Sequence, residues 1–158
     1  MTVHLLMLIL VLTSLPANAR GQTKKTPVEN DIREAVLRYM FDYEAQQQKP
    51  FAKVLFISVE KKDADDELIA RFKDHTPAVK KASDSVITGD ISGVVDKKTG
   101  EGGILFNVGG IKWINENEAD VDGSYYVASL FAGRCHYRVV RDEDKWKTKG
   151  CVGRIWRS

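Results

Sequence analysis

Cys135 and Cys151 are the only two cysteines of the 158-residue chain, and they flank the acidic run Asp142-Glu143-Asp144 in RCHYRVVRDEDKWKTKGCVGR. Two thiols so placed can form a disulfide, ligate a metal or lie unpaired in a core. Cys135 and His136 with Cys151 offer three metal ligands, but adjacent residues on a strand point to opposite faces and no fourth ligand is evident. No metal site is therefore expected, and nothing in the motifs calls for a cofactor. A structural disulfide is favoured over two buried thiols if the chain is exported, because an oxidising compartment permits the bond and an even count leaves no odd thiol.

Five other side chains could do chemistry together. Asp42 lies near Tyr39 and Tyr43 on a helical pattern, while Tyr125 and Tyr137 fall on strand patterns. A carboxylate among phenols in an apolar pocket can act as a general base beside hydrogen-bond donors. No acid partner accompanies it, and neither His75 nor His136 shows a catalytic partner or a nucleophile-elbow motif. The four tyrosines, Tyr39, Tyr43, Tyr125 and Tyr137, therefore read as a wall for a small apolar or amphipathic ligand, or as core that fills the same space.

Charge is nearly balanced overall, with 24 Lys and Arg against 22 Asp and Glu, but residues 134–158 hold eight basic and three acidic side chains. Arg134, Arg138, Lys147, Lys149 and Arg154, beside Trp146 and Trp156, form a basic face that could meet an acidic protein, a polyanionic glycan or an anionic lipid surface. The same pattern also suits a plain solvated sheet exterior. Nucleic acid is not an expected partner of an exported chain. The alternating acids of NENEADVDG lack the spacing of a calcium loop and read as a charged turn. Gly102-Gly103 and Gly109-Gly110 read as turn or bulge positions, since no helix follows either pair to make a phosphate loop.

The elements that would position these groups begin after residue 19. An apolar run from Leu5 to Leu12, a proline at 16 and the Ala17-Asn18-Ala19 site make residues 1–19 a cleaved signal peptide, and the run is too short to span a membrane. The expected location is secreted or periplasmic, and residues 20–158 form one domain with no membrane span. Thr26-Pro27-Val28-Glu29 carries helix-start signals, and Ile32, Val36, Tyr39, Met40 and Tyr43 make a stripe, predicting a long helix over 27–47. KVLFISVE (53–60) predicts a buried strand. Asp63 is expected to cap a short helix to Phe72, and 75–82 to be loop. From Ser83 onward the chain reads as strands and turns.

This order gives an α+β fold, a long N-terminal helix packed on a curved antiparallel sheet. The closing stretch YRVVRDEDKWKTK, together with the element order, resembles NTF2-like (SnoaL-like) domains of the cystatin-like α+β superfamily. One helix stands here where those domains often have two. The resemblance implies a cone-shaped roll with a pocket between helix and sheet, a homodimer, and either a binding role or a small enzyme of the isomerase, dehydratase or hydrolase kind. The functional expectation is a non-catalytic binding or accessory domain.

Strand register bears on the cysteines. Pairing Leu130 with Arg134 sets Val127 opposite Tyr137 and Tyr125 opposite Val139. A two-residue turn at Glu143-Asp144 keeps the apolar face but pairs Cys135 with Val152; a three-residue turn pairs Cys135 with Cys151 but puts Lys147 and Lys149 on that face. A bulge on the first strand would reconcile them.

Overall fold

The computed structural model describes residues 27–44, 46, 52–89 and 93–157, with side chains as far as Gly153. The expected signal segment and its cut, the expected Thr26 cap, the predicted helix end at Gln47 and the side chains of Arg154 and Trp156 lie outside the described residues.

The chain is α+β. Helix α1 (Pro27–Tyr39) continues into a π turn (Met40–Glu44). Strands β1 (Val54–Val59) and β2 (Lys62–Asp63), helix α2 (Asp66–Ala70) and strand β3 (Ala78–Lys81) follow. A separate hairpin, β4 (Ser85–Ile87) with β5 (Val94–Asp96), precedes four long strands: β6 (Gly103–Asn115), β7 (Glu118–Ala128), β8 (Phe131–Asp142) and β9 (Lys145–Arg157). The main sheet runs β2-β1-β6-β7-β8-β9, and β3 also pairs with β1. Strand β1 is parallel to both β3 and β6, whereas β6 to β9 form an antiparallel meander.

A β1 that is apolar apart from Ser58 fits this position, because it is buried on both faces. Leu55, Ile57 and Val59 join the main core with α1, and Val54 and Phe56 face the other way onto Val94 of β5. The sequence expectation of loop at 75–82 is corrected here: β3 forms because β1 has a second edge to satisfy. The helix cap is corrected too. Asp65 rather than Asp63 caps α2, accepting from the Leu68 amide at 2.8 Å, while Asp63 sits in β2 and accepts from the Ser83 amide.

The helical stripe is centred differently from the expectation. Ile32, Val36, Leu37, Met40 and Phe41 are buried, and Phe41 packs edge-on against Phe106 and beside Phe72. Tyr43 lies off this face and is 64% exposed. Asn30 and Arg33 are buried polar residues of the same helix, and Arg33 is held between Glu29 at 3.1 Å and Glu60 at 3.8 Å.

Two register expectations change. In β7–β8, Val121 opposes Tyr137 and Ala119 opposes Val139, so the turn falls near Ser129-Leu130 and not at 131–133. The shift is even, so the same residues keep the apolar face. Gly133 is a strand residue lying over the Tyr125 ring, where an added Cβ would come within 2.8 Å of it. In β8–β9 the two-residue turn at Glu143-Asp144 is present, with Asp142 opposite Lys145, but the register shifts arise on β9 rather than on the first strand. They set Cys151 opposite Tyr137 and Cys135 opposite Arg154, and the diagonal pair is bonded, with Cα atoms 5.8 Å apart.

Candidate functional site

The tyrosines do not gather around one space. Tyr137 is 1% exposed and Tyr125 is buried, both within the core formed by α1, β6, β7 and β8. Tyr39 is half-buried, stacked on the exposed Tyr43 at 4.6 Å and edge-on to Tyr137 at 5.8 Å. Asp42 is exposed. These rings form a file from core to surface.

The opposite face of the sheet carries the polar constellation. Strand β7 presents Glu118, Asp120 and Asp122 at alternate positions, and β8 presents Arg134, His136 and Arg138 beside them. Arg138 bonds Asp120 at 2.5 Å and Glu118 at 2.6 Å. Hydrogen bonding to Asp120, against some desolvation, and then to Glu118 pushes the Arg138 pKa further up. Arg134 reaches Asp122 Oδ2 at 2.9 Å, and the His136 Nδ1 contacts Asp122 Oδ1. Two members of the expected basic face, Arg134 and Arg138, are thus bound to the very acids that suggested a charged turn. Lys147 is likewise paired with Asp142 at 2.7 Å, while Lys149 is exposed.

Glycines open this face. Between Val108↔Gly123 and Ile111↔Val121 the register slips, leaving Gly109 and Gly110 opposite Asp122 alone. A Cβ on Gly109 would meet the Asp122 Cβ at 2.9 Å, and one on Gly153 would press the His136 ring at 3.2 Å. With no side chains there, a cleft of about 390 Å³ lies on either side of Asp122. One is bounded by Glu60, Lys61, Asn107, Ser124 and Arg134, and the other by Lys112, Asp120, His136 and Val152. The volumes fall within the range of small-ligand sites.

The rim of the first cleft is strained. Glu60 (φ 51°) and Lys61 (φ 63°) form the two-residue turn between β1 and β2, both in the left-handed region although neither is glycine. Hairpins of this kind prefer Asn-Gly, and each such residue costs about 1–2 kcal/mol. Asn107 holds the turn, its Oδ1 accepting from the Lys61 amide at 2.8 Å and from Ser58 Oγ at 2.9 Å. Arg33 anchors Glu60 from below.

Sequence reasoning missed Asp122, Glu60, Lys61 and Asn107 as site residues, and gave His136 no partner. One signal was present. The observed register sets Asp120 against Arg138 and Asp122 against His136, whereas the expected one would have set both aspartates opposite the acids of 142–144. Among the described residues no group of three His, Cys, Asp or Glu is arranged to hold a metal, and no helix is long and apolar enough to cross a membrane. Compared with known proteins, the chain matches no family model, no curated protein and no solved structure.

Proposed function

We propose that this protein is an exported, non-catalytic binding domain whose ligand surface is the outer face of the sheet around Asp122, in place of the helix–sheet interior. The observation that carries this is the pair of clefts flanking Asp122, opened by Gly109, Gly110 and Gly153. A binding role accounts for a face whose charges are mostly fixed in pairs: such a ladder presents hydrogen-bonding groups in defined positions and has little freedom to reorganise. Export is supported by the signal-like residues 1–19 and by the Cys135–Cys151 bond. For the fold we keep the NTF2-like roll as a proposal, supported by the resemblance of YRVVRDEDKWKTK and the element order in the sequence, with residues 20–158 as one domain.

Fragment mapping tests the site. In amide-detected NMR of uniformly labelled protein, small polar fragments should perturb Asn107, Gly109, Asp122 and Gly153 together. Perturbations gathered instead around Tyr39, Tyr43 and Tyr125 would return the site to the interior. Intact mass of the exported protein should correspond to a start at Arg20.

A second reading rests on the Asp122–His136 pair. An aspartate on Nδ1 is the arrangement that orients an imidazole as a general base. No nucleophile or acid is placed with it by any described contact, so the binding reading leads.

A further inference from the structure

Most charges on the outer face are already committed. Arg134 and His136 are engaged by Asp122, Arg138 by Asp120 and Glu118, and Glu60 by Arg33. Two cations of the clefts are left over. Lys61, at the strained turn, and Lys112, on β6, are exposed and have no ion-pair partner among the described residues. One belongs to each cleft, and the Gly109-Gly110 bulge and Asp122 lie between them.

This arrangement specifies a chemistry. A ligand spanning both clefts finds a free positive charge at each end and, along the middle, the remaining carboxylate lone pairs of Asp122 and Asp120 as acceptors and the Asn107 side-chain amide as a donor, its Oδ1 being already taken by Lys61 and Ser58. A neutral molecule would leave both lysines unused, and a bare polyanion would meet the acid row of β7 without donors to offer it. A short chain that carries carboxylates at intervals and hydroxyls between them fits both requirements. The glycines leave the backbone here uncovered by side chains and Val152 is exposed beside them, so a sugar ring can approach the sheet closely. Resting on the outer-face reading above, we infer that the two clefts form one extended site for an acidic oligosaccharide, with uronate carboxylates at Lys61 and Lys112 and ring hydroxyls donating to Asp122.

Calorimetric titration of the mature protein with trigalacturonate is the test, with maltotriose as the uncharged sugar and tri-glutamate as the acidic peptide. Trigalacturonate should bind and maltotriose should not, and affinity should fall as salt rises. Lys61→Met and Lys112→Met should each weaken binding about tenfold, the scale of one charge-assisted hydrogen bond. Lys149→Met, outside both clefts, should leave it unchanged. Both cleft lysines are exposed, so neither variant threatens folding. Equal binding of tri-glutamate would assign the face to acidic peptides and overturn the sugar. Equal loss in Lys149→Met would reduce the effect to general charge and overturn the site. If none of the three binds while fragments still map to Gly109, Asp122 and Gly153, the acidic-sugar inference fails and the outer-face reading stands; fragments mapping elsewhere overturn both.

Discussion

Asp122 of β7 stands directly opposite His136 of β8, and its second oxygen takes the Arg134 guanidinium at 2.9 Å. One carboxylate therefore joins two basic side chains of β8 while its other flank faces a glycine bulge. On an antiparallel strand pair, opposite charges set face to face contribute a few tenths to 1 kcal/mol each. Their value here is positional, because they fix three polar groups at the junction of two clefts.

Asp122→Ala should accordingly cost less than about 1 kcal/mol in urea denaturation, as expected for partly exposed pairs. The fragment perturbations around Gly109 and Gly153 should disappear in the same variant. A stability loss of several kcal/mol would mean that the ladder serves the fold rather than a ligand.

The α+β class and the burial of β1 were legible because each rests on local periodicity, whereas the two-residue turn before β9 was one of two that the sequence left open. The outer-face site was not legible, because it depends on register, and register came from a wrongly placed β7–β8 turn. Gly133, taken for a turn residue, is a strand glycine accommodating Tyr125. The six-residue error left the apolar face intact, so hydrophobic patterning alone could not expose it. Matching Glu118, Asp120 and Asp122 to Arg134, His136 and Arg138 would have done so. Neither turn strain at Glu60-Lys61 nor the shifts on β9 have a periodic signature, and both emerge only from tertiary pairing.

The Cys135–Cys151 bond closes a loop with a sequence separation of 16 across β8 and β9. The chain-entropy account makes a loop of this size worth about 3 kcal/mol. Replacing both cysteines by alanine should lower stability by about 2–4 kcal/mol in denaturant titration, and thiol labelling of the native wild type should detect no free cysteine. Two reactive thiols in the native protein would remove the bond and its share of the stability.

Core and surface tyrosines should respond very differently to truncation. Tyr137→Ala removes a ring with 1% exposure and should cost about 3–5 kcal/mol. Tyr43→Ala, at a position 64% exposed, should stay within about 0.5 kcal/mol. Comparable small losses at both positions, accompanied by weakened fragment binding, would point back to an interior ligand pocket.

Lys80 and Asp96 tie β3 to the end of β5 at 2.6 Å, and Asp96 also accepts from the amides of Lys98 and Thr99. Hydrogen bonding to Lys80, then to the Thr99 amide, holds the Asp96 carboxyl down at about 2, below its usual 3.8. A depressed carboxylate stabilises the fold fully above its unfolded value and loses that contribution as pH falls from about 4 to about 2. The partner Lys80 is raised above 10.5, chiefly by its bond to Asp96, so its contribution is complete below that value and is lost at higher alkaline pH. Asp96→Asn should flatten the acid limb of the stability profile over that window. An unchanged acid limb would place the acid sensitivity elsewhere.

The strained turn permits the sharpest separation of fold from function. Glu60 and Lys61 occupy left-handed conformations that Asn-Gly adopts with little strain, yet they stand at the cleft rim, with Lys61 held through its amide by Asn107. Substituting Asn-Gly for Glu60-Lys61 should raise stability by about 1–2 kcal/mol, the relief of a left-handed penalty of about 2–4 kcal/mol over the two positions being partly offset by the lost contact of Glu60 with Arg33. The same double substitution should weaken trigalacturonate binding at least as much as Lys61→Met, which leaves the turn strained and should leave stability nearly unchanged. A gain in stability with binding intact would show that the turn plays no part in the site. A loss of stability would mean that the contact of Glu60 with Arg33 outweighs the backbone strain.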